Sequence, residues 1–248
     1  MVESGQAPEH DHTEMFDALL ARYVVAGADG IARVRYQAWR NATDDMAALR
    51  AYVRWLEGQK PSDMSAPEAI TFWSNLYNAV TLEVVLENYP VRSIRDIRSE
   101  GDGADNALGP WKASRVIVEG RALSLHAIEH DILRAQFADP RIHYAINCAS
   151  VSCPNLPQRA WRADSLDEAL DDAARRYINH VRGVRILPSG DIEASSIFQW
   201  YRADFGDNSQ TVLAHQAQYA EGPLADALAR AGKIAAYDYD WSLNDAEG

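Results

Sequence analysis

The 248-residue chain predicts an α+β fold, with a largely antiparallel sheet packed by a central buried helix. Three observations carry this expectation. Stretches with apolar residues at three- and four-residue spacing recur along the chain, as amphipathic helices require. Two alternating segments, ASRVIVEGRALSL and VRILPSGDIEAS, are broken at turn residues and read as hairpins. One long stretch, PEAITFWSNLYNAVTLEVVLENYP, is apolar nearly all round, as in a helix covered on most faces. With no internal repeat and no dividing linker, the expected organisation is a disordered tail over 1–13 and one domain over 14–248.

In chain order, MFDALLARYVVAG forms a first helix with Phe16, Leu19, Leu20 and Tyr23 on one face. Thr43 caps a second, with Asp44 and Asp45 in its first turn and Gly58 past its end. The central helix starts near Pro67 and stops before Pro90. A glycine- and aspartate-rich loop from Gly101 to Gly109 leads to Trp111 and the first hairpin, turning at Glu119-Gly120. Ser124 opens a helix through LHAIEHDILRAQF. The β-prone RIHYAINCA then reads as a strand entering a rigid loop, SVSCPNLPQ. LDEALDDAARRYINHV is an amphipathic helix with early acids, as the helix dipole prefers. The second hairpin follows, then short helical pieces in SIFQWYRADFG, TVLAHQAQYA and PLADALARAG, and a last strand in IAAYDYDWSLN.

Composition bounds the function. A net charge of −12 disfavours nucleic acid and anionic membranes, both of which call for Lys and Arg. No apolar run approaches the roughly 20 residues that cross a bilayer. The expected partner is therefore a small-molecule or peptide substrate, with no nucleic acid and no membrane; oligomeric state stays open. The N-terminus MVESGQAPEHDHTE has neither the basic nor the apolar stretch of an export signal. A cytoplasmic location is the default expectation, and a periplasmic or secreted one the alternative if a signal was removed.

Both cysteines of the chain lie in DPRIHYAINCASVSCP, so thiol chemistry has one address. Cys148 and Cys153, with ASVS between them, make no disulfide framework and at most one small loop. Strand alternation places His143, Ala145 and Asn147 on one side and Tyr144, Ile146 and Cys148 on the other. Cys148 is then expected in the core and inert, and Cys153 exposed in a proline-held loop and reactive. On the central helix Asn75 and Asn78 share a face. Burying either amide unpaired would cost about 1–3 kcal/mol, so each needs structural or ligand partners. His126 and His130, four apart with Glu129 between them, have a metal-compatible spacing, but the HExxH order is absent. Trp200, Tyr201, Asp204 and Phe205, with Tyr239, Asp240, Trp241 and Asn244, could line a ligand pocket.

The leading expectation is a thiol-dependent hydrolase or acyltransferase acting on an amide or ester. Cys153, or else Cys148, attacks the carbonyl; His143 or His130 serves as base; Glu129 or Asp240 orients the imidazole. An asparagine or backbone N–H holds the oxyanion. Asn75, Asn78, Asn147, Asp240 and Trp200 are the binding candidates, and no cofactor is expected. Asn75, Asn78, Glu129, His130, His143 and the 148–153 loop are expected to meet in one polar cleft, since mutual hydrogen bonding is the least costly way to bury them. Two alternatives belong to other classes. One is a non-catalytic ligand- or peptide-binding domain with an enzyme-like cleft. The other is a metal site of Cys148, Cys153, His143 and His130, although H-x4-C-x4-C is no standard zinc spacing.

The motifs FWSNLYNAVTLEVVLENYP, GPW, LSLHAIEHDILR, DPRIHYAINCASVSCPNL, SSIFQWYRADFG and YDYDWSLN occur in that order. Together they resemble the domain-of-unknown-function family numbered 547, widespread in bacteria, over about residues 66–244. The resemblance implies motif positions and no particular activity. Many bacterial relatives carry export signals, which keeps the compartment open. A central helix followed by a histidine-bearing strand is also similar to papain-like and transglutaminase-like architecture. There the helix starts with the nucleophilic cysteine; here it carries Ser74 and Asn75, so the thiol would have to come from the 148–153 loop.

Overall fold

The computed structural model describes residues 9–98 and 109–247. The glycine- and aspartate-rich stretch lies outside them, apart from Gly109. Helix α4 (Ala66–Asn88) organises what surrounds the thiols. Its start is fixed by Pro67 and a capping box in which the Glu68 carboxylate accepts the Ser65 N–H at 2.8 Å. From Ala69 to Leu86 nearly every side chain is buried, as the all-round apolar pattern requires.

Helices α2 (Tyr36–Asn41) and α3 (Thr43–Glu57) pack on α4, and α1 (Glu9–Tyr23) packs on α3. Helix α1 begins inside the stretch expected as a tail; residues 1–8 are outside the described set. A second core gathers α7 (Leu166–Ile178), α8 (Ile197–Trp200), α9 (Ser209–Tyr219) and α10 (Gly222–Arg230) around buried Phe198, Phe205 and Val212.

The fold is α+β, but among the described residues the strands form three small sheets. β1 (Val24–Ala26) pairs with β2 (Ala32–Val34), and β3 (Ser114–Val118) with β4 (Arg121–Ser124), both antiparallel. β5 (Val184–Ile186) pairs antiparallel with β6 (Ile192–Ser195), and β7 (Ile234–Asp238) adds to β6 in parallel. Both hairpins therefore form where alternation and turn residues place them.

The expected strand from Ile142 to Cys148 does not form. Ile142–Ala145 is a one-turn helix, α6, and Ile146 to Cys148 continue outside any named strand. Asp139 starts the turn by accepting the Arg141 N–H at 2.9 Å, and Pro140 presets a helical φ. Every residue from Ile142 to Asn147 is buried, so hydrophobicity alone carried no period to separate helix from strand. Without a histidine-bearing strand, the step that suggested a papain-like order is absent.

Between β4 and α5 (Ala135–Phe137), residues Ala127–Arg134 form a π-helix, a rare form often found at functional sites. Its wider turn keeps residues four apart in a column: His126 stacks on His130 at 4.2 Å, and Arg134 Nη1 lies 2.6 Å from His130 Nδ1. Among the described residues no helix is long and apolar enough to cross a membrane.

Candidate functional site

The loop from Cys148 to Pro154 is built from its ends inward. Asn78 on α4 donates to Ala145 O at 2.9 Å and accepts the Asn147 N–H at 2.8 Å. Asn147 in turn spans the loop mouth, donating to Pro154 O at 2.7 Å and accepting the Ala149 N–H at 2.9 Å. Ala149 is held at φ 61°, a left-handed conformation that costs a Cβ-bearing residue free energy and persists only where its surroundings fix it. The C-terminal segment staples the outer side: Val151 N–H donates to Ser242 O, Asp240 N–H to Ser152 Oγ, and Ser150 bridges Leu243. Tyr177 and Arg182 hold the carbonyls of Ser152 and Val151.

This frame brings the two sulfurs to 2.9 Å as free thiols. Cys148 is partly accessible, whereas Cys153 is 4% exposed. The expected roles are therefore reversed: Cys153 points inward from its loop and Cys148 is the outer thiol. With no strand at Cys148, alternation does not govern its side chain. Cys148 Sγ also lies 3.3 Å from Ser150 Oγ and 3.2 Å from Tyr239 Oη, while those two oxygens are 2.8 Å apart. One hydroxyl proton serves the Ser150–Tyr239 bond, leaving the other hydroxyl and the Cys153 S–H to point at Cys148. The hydrogen bond from Cys153, followed by those of Ser150 and Tyr239, holds the Cys148 thiol below its usual range despite its burial. Burial and the neighbouring Cys148 push Cys153 up, although the Cys148 N–H donates to its sulfur at 2.9 Å. Burial and the two sulfurs also push Tyr239 up, so it remains a proton donor when Cys148 ionises.

The histidines form a second cluster. His143, 3% exposed, meets Asp204 Oδ2 through Nε2 at 2.7 Å. Arg134 grips the same carboxylate at 2.5 and 3.0 Å and reaches His130. Burial raises the Asp204 pKa, but bonds to His143 and Arg134 outweigh it and hold the carboxyl well below its usual range. Desolvation lowers His130. The ring of Tyr201 is shared, stacked on His143 at 4.3 Å and under the Arg134 guanidinium at 4.8 Å. Glu129, 6% exposed, lies between the clusters and accepts from Tyr77 Oη at 3.3 Å. Burial and Glu129 push the Tyr201 phenol up.

The single polar cleft expected from the sequence thus divides into a thiol cluster and a His–Asp–Arg cluster. Among the described residues, neither sulfur has an imidazole as a hydrogen-bond partner. Asp240, offered as a histidine orienter, is exposed and caps its own turn by accepting the Ser242 N–H; Asp204 holds the histidine instead. Asn75 is committed to the Trp161 backbone, accepting its N–H at 2.9 Å and donating to its carbonyl at 3.1 Å. With Asn78 and Asn147 also engaged by backbone, these three binding candidates are scaffold. Trp200 remains available at 47% exposure, stacked on Trp241 at 5.5 Å and beside Tyr239 at 4.8 Å. The metal alternative loses its geometry, because among the described residues no group of three or more His, Cys, Asp or Glu is placed to hold an ion.

Tyr77, Arg134 and Ser150 were not singled out by the sequence. The spacing of Arg134 four residues after His130 was a usable signal. Nothing local marked Ser150, whose role arises only when the C-terminal segment brings Tyr239 alongside.

No curated protein and no solved structure matches the chain. The matching family model covers residues 61–178 and stops short of the SSIFQWYRADFG and YDYDWSLN motifs. That segment, with both cysteines, Glu129, His130 and His143, is similar to the family described as Protein of unknown function, DUF547.

Proposed function

We propose that the protein is a thiol-dependent hydrolase or acyltransferase whose nucleophile is Cys148, acting on an amide or ester of a small molecule or peptide. The observation that carries this reading is a partly accessible sulfur set among hydroxyl and thiol donors, with its thiol held below the usual range. A thiolate is the attacking species in such chemistry, and here hydroxyls and a second thiol favour it in place of an imidazolium. Attack forms the S–C bond and a tetrahedral oxyanion. Collapse breaks the bond to the leaving oxygen or nitrogen, which takes a proton from the Tyr239–Ser150 hydroxyl pair or from water. The thioester then passes its acyl group to water or another acceptor. The exposed Trp200 face beside Tyr239 supports a substrate with an apolar or aromatic face near the scissile bond.

The same exposed aromatic face favours, as a second reading, a ligand-binding domain without turnover. Incubation with p-nitrophenyl acetate separates the two. The expected result is one acetyl group on Cys148 in the intact-mass spectrum, absent from Cys148→Ser. Acetylation elsewhere, or neither acetylation of Cys148 nor Cys148-dependent release of p-nitrophenol, overturns the enzymatic reading.

A further inference from the structure

We propose that Cys148 and Cys153 act as a dithiol–disulfide couple, in which the outer sulfur opens an incoming small-molecule disulfide and the inner one resolves the mixed disulfide. The inference rests on Cys148 being the nucleophile but concerns a different reaction. Acyl transfer uses the inner thiol only as a hydrogen-bond partner of the outer one and gives it no bond-forming part.

The geometry has the asymmetry that exchange requires. Cys148 is accessible to a partner, and Cys153 is buried directly behind it with the sulfurs 2.9 Å apart. A disulfide bond is about 2.05 Å long, so closure needs a sulfur shift of under about 1 Å. The Cys148 N–H points at Cys153 Sγ and helps to stabilise the inner sulfur once it loses its proton. The backbone between them is fixed: Cys153 N–H donates to Ser150 O, Ala149 is held left-handed, and Val151 and Ser152 are tied to the C-terminal segment. The loop therefore keeps the sulfurs adjacent in the reduced protein instead of letting them separate.

The step balances. The Cys148 thiolate attacks one sulfur of R–S–S–R, forming the mixed disulfide and releasing one R–S⁻. Cys153, giving up its proton, attacks Cys148 Sγ and releases the second R–S⁻. The protein loses two electrons and two protons, and the small disulfide becomes two thiols. Burial of Cys153 keeps it from capturing a partner itself, which makes the order of attack unequivocal.

Oxidised glutathione, used as the probe on the full chain, tests both sulfurs at once by intact mass, peptide mapping and thiol titration. Wild type is expected to lose both thiols and two hydrogens while retaining no glutathione. Cys153→Ser, and independently Cys153→Ala, is expected to retain one glutathione on Cys148; Cys148→Ser should retain none. Stable glutathionylation of Cys148 in wild type overturns the couple while leaving the nucleophile intact. Two unmodified thiols in wild type also overturn it, and acetylation of Cys148 then reports separately on the proposed acyl chemistry.

Discussion

Asn78→Leu is expected to destabilise the protein by about 1–3 kcal/mol, the cost of leaving one buried backbone donor unpaired. The Asn78 amide holds the Asn147 N–H and donates to Ala145 O from the centre of α4. Leucine keeps the volume but offers neither bond. Ala145 O retains the Trp161 indole N–H at 2.9 Å, whereas the Asn147 N–H is orphaned. At roughly 2–4 °C per kcal/mol for a chain of this size, the thermal midpoint should fall by about 2–12 °C. Asn88→Ala, at the end of the same helix where the amide bonds only its own turn, should shift stability by under about 0.5 kcal/mol. Calorimetry of the two variants decides; equal effects would mean that Asn78 is not a brace.

Stability should also fall as the medium turns mildly acidic, with His215 as the main cause. Its Nε2 lies 2.9 Å from the Tyr144 hydroxyl oxygen in the second core, and desolvation brings its pKa down to about 4. In the unfolded chain the imidazole takes up a proton near 6.5. Because the folded value is the lower one, the unfolded state binds more protons between these values, and stability rises with pH there. The contribution is complete above about pH 6.5 and is lost as pH falls through about 4, a span worth about 3 kcal/mol. His215→Gln, whose amide can either donate to or accept from Tyr144 but does not titrate, should flatten this part of the curve. Denaturant midpoints at a series of pH values measure it; an unchanged acid slope in the variant would assign the effect elsewhere.

What was legible in the sequence follows from how local each signal is. Helix α4 announced itself by composition, Pro67 and Pro90, and both hairpins by alternation around turn residues, because each pattern lies within one element. The His143 segment failed for the same reason. Buried on all sides, Ile142–Asn147 shows no period, and the turn chemistry of Asp139 and Pro140 together with the Asn78 brace decided its shape. The reversed exposure of the cysteines has the same origin, since only a strand register turns Cys148 toward the core. The motif list found the residues of both clusters more reliably than their pairing. Asp204 and Tyr239 stood out only as pocket lining, yet one holds His143 and the other reaches Cys148 across 91 positions of chain. Such partners are set by packing, and neither helical nor strand spacing encodes them. The asparagines show the converse: unusual polarity on a buried helix correctly signalled obligatory partners, and the partners proved to be backbone.

Cys148, not Cys153, is proposed to carry the reactive sulfur, with Tyr239 helping to hold its thiol below the usual range. The direct measurement is the rate of iodoacetamide labelling at each cysteine as a function of pH, mapped by mass spectrometry on the native protein. Cys148 is expected to react first, with its half-maximal rate below the free-thiol value of about 8.5, and Tyr239→Phe should move that midpoint upward and slow labelling at neutral pH. Preferential labelling of Cys153, or a Cys148 profile at or above that of a free thiol, would contradict the account.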